Sequence, residues 1–191
     1  VDRSINDANP FLVSNIRGTF TILDIITKQK KRMVHISTDE VFGSLSQGTA
    51  DEESKFNPSS PYAATKAAAE LLINSYSTTY DSDVVITRCT NNFGPRQFVE
   101  KLIPKIIILA NKNLKIPIYG EGKNIRDWIF VDNHCDAVEM ALFNGKSGES
   151  YNISADNEID NITIVKKILE IMNKSDDLIE FVEDRPGHDF R

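Results

Sequence analysis

Glycine is scarce where a nucleotide-binding chain would most need it. The nine glycines (Gly18, Gly43, Gly48, Gly94, Gly120, Gly122, Gly145, Gly148 and Gly187) nowhere form the Gly-rich turn between a strand and a helix that seats a dinucleotide pyrophosphate. Gly120-x-Gly122 lacks the third glycine, so these residues offer no evident pyrophosphate cradle. Cysteine is limited to Cys89 and Cys135, without CxxC or Cys/His spacing. That excludes a disulfide framework and the common zinc motifs, and both thiols read as buried small hydrophobes. His35, His134 and His188 show no ligand spacing, and no metal is expected. The longest nearly apolar run, Ile106-Ile107-Ile108-Leu109-Ala110, is far short of the roughly 20 residues of a bilayer span. Basic charge is in deficit: 22 Lys plus Arg stand against 28 Asp plus Glu, a net charge of −6. Neither nucleic acid nor a membrane is an expected partner.

What is present is the composition of a folded chain: 191 residues, 40% apolar and 26% charged. The expectation is a cytoplasmic protein. The opening at Val1-Asp2-Arg3-Ser4, with neither initiator Met nor strand, and the close at Asp189-Phe190-Arg191 read as the ends of a fragment. Apolar residues at three-to-five-residue spacing after Pro10 predict a helix over about 10–29. Met33–Ser37 reads as a buried strand ending in the polar cluster Thr38-Asp39-Glu40, followed by an acidic loop from Gly43 to Pro58. Ser60 and Pro61 cap a helix over about 61–80. Val84–Thr87 is a second buried strand, followed by the turn-like Asn91-Asn92-Phe93-Gly94-Pro95. Further helices are predicted near 100–112, 134–143 and 162–173, with strands at Ile116–Tyr119, Trp128–Val131 and Ser150–Ile153. This alternation predicts an α/β sheet with crossover connections and a second lobe beginning near residue 95. Both polar clusters follow strands, where open α/β sheets gather their ligands.

Tyr62 and Lys66 lie four apart on the predicted helix and share a face. A lysine ammonium there can favour a tyrosine phenolate, making a weak acid with a pKa of about 10 usable as a base. The bare spacing is common and reads equally as two surface residues. Thr38-Asp39-Glu40 adds two carboxylates that can serve as acid and base if the chain turns there, although a solvated strand end is the commoner fate of such a pair. Arg126-Asp127-Trp128 and Asp184-Arg185-Pro186-Gly187-His188 each place an arginine suited to bidentate phosphate recognition; the alternative for Arg126 is an ion pair with Asp127. His35 reads as a satisfied core residue.

In order along nearly the whole chain, His35-Ile36-Ser37-Thr38-Asp39-Glu40-Val41-Phe42-Gly43, Ser60-Pro61-Tyr62-Ala63-Ala64-Thr65-Lys66-Ala67, Thr87-Arg88-Cys89-Thr90-Asn91-Asn92-Phe93-Gly94-Pro95, Glu100-Lys101-Leu102-Ile103-Pro104, Arg126-Asp127-Trp128 and Asp184-Arg185-Pro186-Gly187-His188-Asp189 form one set. The set resembles the extended short-chain dehydrogenase/reductase family, in its dTDP-glucose 4,6-dehydratase branch. Phe42 and Phe93 stand where that branch usually has tyrosine, and Val99 where it has proline. The resemblance implies part of a Rossmann-like doubly wound parallel sheet with a smaller α/β substrate-binding lobe. Residues 1–95 would be the C-terminal part of an NAD-binding domain carrying the catalytic residues. Residues 96–191 would be mainly a nucleotide-sugar lobe, with some segments returning to the sheet. It implies NAD as cofactor and dTDP-glucose as substrate, dehydrated to the 4-keto-6-deoxy sugar by internal hydride transfer from C4 to C6. Thr38, Asp39, Glu40, Tyr62 and Lys66 would be catalytic, with Tyr62 and Lys66 also on the nicotinamide ribose. Ser4, Thr38, Asn92, Lys101, Leu102, Pro117, Ile118, Tyr119, Arg126, Asn161, Arg185 and His188 would bind substrate. The helices near 10–29 and 61–80 would join a homodimer. Open alternatives are a related epimerase or dehydratase acting on another nucleotide sugar, and a non-catalytic remnant or interface module.

Overall fold

The computed structural model describes all 191 residues. The chain opens with a short helix, α1 (Asp2–Asn6), which the sequence pattern does not announce. The helix expected over 10–29 is built in three pieces: α2 (Asn9–Phe11), a π-helical stretch over Leu12–Arg17, and α3 (Gly18–Gln29), closed by Lys30 in the left-handed conformation. Strand β1 (Met33–Thr38) runs into a 3-10 turn over Asp39–Phe42. In α4 (Pro61–Tyr80) the Ser60 hydroxyl accepts the Ala63 N–H, Pro61 occupies the first turn where no N–H is needed, and Asp81 ends the helix at φ 54°. Next come β2 (Val84–Cys89), β3 (Asn91–Phe93), α5 (Leu102–Asn111), β4 (Ile116–Tyr119), β5 (Ile125–Phe130) and α6 (Val131–Asn144). The chain finishes with β6 (Ser150–Ile153), β7 (Glu158–Asp160), α7 (Asn161–Ile171) and β8 (Ile179–Val182). The Asn91–Phe93 segment, read as a turn, is instead a strand, because its backbone pairs with Trp128–Phe130.

The chain divides into two compact units: Val1–Thr90 with Asp132–Ile153, and Asn91–Val131 with Ser154–Arg191. In the first, three parallel strands lie in the order β1-β2-β6. The central strand β2 is buried on both faces, as parallel sheets require. On one face Val84 and Ile86 pack with Leu23 of α3 and Ile73 of α4, while Val85 on the other meets Gly145 at the end of α6. The register sets Ser37 opposite Arg88 and Thr38 opposite Cys89, so the carboxyl ends of β1 and β2 finish level. A separate apolar cluster, Val41, Phe42 and Ala67 with Ala50 and Phe56 against it, fastens the 3-10 turn to α4.

In the second unit, β5 pairs parallel with β3 and antiparallel with β7, and β4 pairs with β8. Its core is Ile106 and Ala110 of α5, Ile116 and Ile118 of β4, Trp128 of β5 and Ile164, Val165 and Leu169 of α7. Cys135 corrects the reading of both thiols as buried: it sits on the exposed side of α6, and Cys89 is half-buried. No helix is long and apolar enough to cross a membrane.

Candidate active site

Tyr62 occupies the first turn of α4, and its backbone N–H donates to the Ser4 hydroxyl at 3.1 Å while that hydroxyl donates to the Val1 carbonyl at 2.6 Å. Ser4 is almost fully buried, and its hydroxyl ties the chain's start to the helix that carries the phenol. Thr38 ends β1 in an extended conformation, and its hydroxyl accepts the Glu40 N–H at 3.3 Å and donates to Asp39 Oδ1 at 3.2 Å. The strand pleat is broken at that point by the 3-10 turn, so Asp39 and Glu40 are not thrown to opposite faces.

The phenol records its surroundings. Burial pushes the Tyr62 pKa up to about 12, and the Glu40 and Asp39 charges and the Cys89 thiol push in the same direction; a hydrogen bond with Thr38 pulls the other way. Tyr62, Thr38, Asp39 and Glu40 are therefore brought together. Lys66, expected to favour the phenolate, is not among the groups that act on the phenol here. Lys66 Nζ donates instead to the Ile36 carbonyl at 2.5 Å and lies 3.5 Å from His35 Nε2. Burial pulls Lys66 down, partly opposed by the Glu70 charge and by Cys89. His35, half-buried beside this ammonium, is held down at about 4, so its ring is neutral.

The remaining candidates lie in the second unit. Tyr119 of β4 meets the His188 ring edge-on, with centroids 6.0 Å apart, and His188 Nδ1 lies 2.7 Å from Asp184 Oδ1. That bond holds the Asp184 carboxyl below its usual range. Burial pulls His188 down against the opposing Asp184 bond, and the Arg185 and Arg126 charges add to the lowering, so two arginines and a histidine share one neighbourhood. Arg126 donates to the carbonyls of Asp189 at 2.8 Å and Ile125 at 2.6 Å, while Asp127 accepts the N–H groups of Ala155 and Asn157, both at 2.8 Å. Ile118 is buried in the core, and the half-buried Leu102 packs against that core. Pro117 lies on β4 and Asn92 on β3, Lys101 precedes α5, and Asn161 opens α7. The capping role of Ser4 and the Lys66–Ile36 bond were beyond sequence reasoning, since both need the tertiary register.

Residues 1–190 match the family model described as GDP-mannose 4,6 dehydratase. The low-salt glycan biosynthesis protein Agl12 of Haloferax volcanii is 48% identical over 192 residues, covering 100% of this chain and 62% of that protein. A dTDP-glucose 4,6-dehydratase of Streptomyces niveus is 45% identical, covering 100% of this chain and 57% of the relative. The crystal structure of DesIV, a dTDP-glucose 4,6-dehydratase from Streptomyces venezuelae with NAD and TYD bound, superposes with a TM-score of 0.98 at 41% identity, over 100% of this chain and 60% of that one. The chain thus spans about three-fifths of the length of the relatives it matches. With a family model matched from its first residue almost to its last, the chain belongs to the GDP-mannose 4,6 dehydratase family.

Proposed function

We propose that this chain carries the acid–base machinery of an NAD-dependent nucleotide-sugar 4,6-dehydratase, a hydro-lyase acting on dTDP-glucose. The observation that carries the reading is one half-buried phenol hydrogen-bonded to Thr38, the residue from which the turn bearing two adjacent carboxyl groups, Asp39 and Glu40, departs. An epimerase needs the phenol alone; a second acid and a second base are what elimination of water adds.

A phenol and an ammonium one helical turn apart suit a vicinal diol, so Tyr62 and Lys66 fit the ribose of a nicotinamide cofactor. When bound, NAD would supply a reversible hydride acceptor for the C4 hydride, given back at C6 as C5 regains a proton, so that the sugar loses only water. Tyr62 takes the proton of the sugar C4 hydroxyl. Its raised pKa opposes ionisation at neutral pH, so the step needs positive charge at the ring oxygen. Lys66, on the same face, is the nearby cation that can provide it once it leaves the Ile36 carbonyl. A 4-keto group then acidifies C5–H. Glu40 removes that proton, and Asp39, held protonated, donates to the departing C6 hydroxyl. Thr38 donates to the C4 oxygen as charge develops there.

In the second unit, Arg126 and Arg185 would face the diphosphate, with Asn92, Lys101, Tyr119, Asn161 and His188 around the nucleotide sugar. Homodimer formation through the 10–29 and 61–80 helices is part of the same proposal. It draws support from the exposed apolar side chains Leu12, Val13, Phe20, Ile22, Ile25 and Leu71. A cytoplasmic setting completes it. The test is the protein expressed from its complete reading frame, given NAD and dTDP-, UDP-, CDP- or GDP-glucose in separate reactions. Loss of one water from the dTDP sugar, seen by mass spectrometry, supports the reading. An unchanged mass with inverted C4, or no turnover of any of the four, overturns it.

A further inference from the structure

Glu70 and Arg88 form an ion pair that solvent hardly reaches, with residue exposures of 0% and 4%. Arg88 Nε and Nη2 donate to Glu70 Oε2 at 2.9 and 2.8 Å, and the Ser37 hydroxyl donates to Glu70 Oε1. Neither group is given a contact with substrate in the mechanism above, and the Glu70 charge enters it only by supporting the Lys66 ammonium. Desolvating both is costly, and well-packed apolar side chains in their place usually serve stability as well or better. Stability alone therefore gives no reason for charge at this position.

The partners suggest one. Arg88 Nη1 donates to the Glu52 carbonyl at 3.2 Å and Nη2 to the Ser150 hydroxyl at 3.3 Å. Its guanidinium carbon stands 5.2 Å from the ring centroids of both Phe42 and Phe56. One planar cation is thus bonded or stacked to α4, to β6, to the loop after the 3-10 turn and to the turn's own last residue. On the other side, Glu70 holds Ser37, the residue before Thr38. Within the turn the Glu40 N–H reaches Thr38, the Gly43 N–H reaches the Glu40 carbonyl, and the Val41 carbonyl accepts from Asn57. Val41 and Phe42 pack with Ala67 of α4, and Phe42 is also the ring over which the Arg88 guanidinium stands.

We infer that the Glu70–Arg88 pair is the positioning element that fixes the Asp39–Glu40 turn relative to Tyr62, without itself touching substrate. Glu70 lies eight residues beyond Tyr62 on the same helix, so the pair references the turn directly to the element that carries the phenol. A planar, multiply bonded and stacked guanidinium resists sliding in a way an apolar contact does not. The role rests on the dehydratase reading, but its physical content, a turn held rigid, does not.

The test uses the protein from its complete reading frame, as wild type, Glu70→Met/Arg88→Met and Arg88→Lys. The double variant is expected to fold, with a melting temperature at or near that of wild type, and to lose at least tenfold in kcat while KM for dTDP-glucose stays within twofold. Arg88→Lys keeps the charge but loses the fork and the stacking, and is expected to fall between the two. Amide hydrogen exchange over residues 39–43 is expected to be at least tenfold faster in both variants. A folded double variant with wild-type kcat and wild-type protection overturns the assignment. Should the double variant fail to fold, Arg88→Lys with unaltered kcat and exchange overturns it instead. Wild-type inactivity toward dTDP-glucose would refute the function proposed above and leave hydrogen exchange to decide this one.

Discussion

Acidification should weaken this protein through one imidazole. His35 sits in the middle of β1, opposite Ile86 of β2, with Nε2 3.5 Å from Lys66 Nζ. Burial first, and then the Lys66 charge, lower its pKa from 6.5 to about 4. In the unfolded chain the ring regains its ordinary value, so between pH 6.5 and pH 4 the unfolded state binds a proton that the folded state refuses. The sign follows: stability rises with pH across that window, is complete above 6.5, and is lost as pH falls toward 4. At about 1.4 kcal/mol per pH unit the ceiling is roughly 3 kcal/mol, and partial solvent access brings it to about 2–3 kcal/mol. A typical domain has only about 5–15 kcal/mol to lose. The assay is urea denaturation of wild type and His35→Gln, at about pH 7 and about pH 4, with other titrating groups common to both proteins. Wild type is expected to lose about 2–3 kcal/mol more than the variant. Equal losses in the two proteins would refute the reasoning.

Three further outcomes are expected. Glu40→Gln in the complete protein should lower product formation about 10²–10⁴-fold, the ordinary value of a positioned general base, and a wild-type rate would remove Glu40 from that role. Gly43→Ala should destabilise by at least about 2 kcal/mol in urea denaturation. The residue sits at φ +69°, and an added Cβ would lie 2.0 Å from the Asn57 carbonyl oxygen, so both the left-handed backbone and the loop contact resist a side chain. A loss below about 0.5 kcal/mol would show that the loop gives way freely. Ser60→Ala should cost about 1 kcal/mol by removing the acceptor of the Ala63 N–H, with the same measurement as the check.

The parts of the fold that could be read from sequence are those whose signal is local. Ser60-Pro61 opens α4, and the mostly apolar run of β1 and the β-branched run of β2 are long enough to be strands. Strands β3, β7 and β8 were not legible. Each is three or four residues, and Asn91-Asn92 or Glu158-Ile159-Asp160 becomes strand only because a distant partner supplies the hydrogen bonds. The π-helical stretch in the 10–29 helix is hidden for a related reason, since an apolar period of three to five residues fits α and π turns alike. The candidate site divides in the same way. The spacing of Tyr62 and Lys66 is local and visible, and so is the adjacency of Asp39 and Glu40. That the phenol rises depends first on its burial, and that the lysine finds the Ile36 carbonyl depends on the packing of α4 on β1; neither is written in a spacing.

The register of α4 ties these levels together. Tyr62, Lys66 and Glu70 recur every four residues, so they form one stripe that advances roughly 6 Å per step along the helix. At its start the stripe meets Thr38, in its middle the Ile36 carbonyl, and at its end Ser37 and Arg88. A rotation of the helix by one residue, about 100°, would remove all three contacts at once and expose a charge pair that the interior has already desolvated. The phase of the helix is thus fixed by its most buried member and delivered at its first turn, where the phenol stands. Sequence changes that loosen Glu70 should accordingly appear in the rate before they appear in the melting temperature.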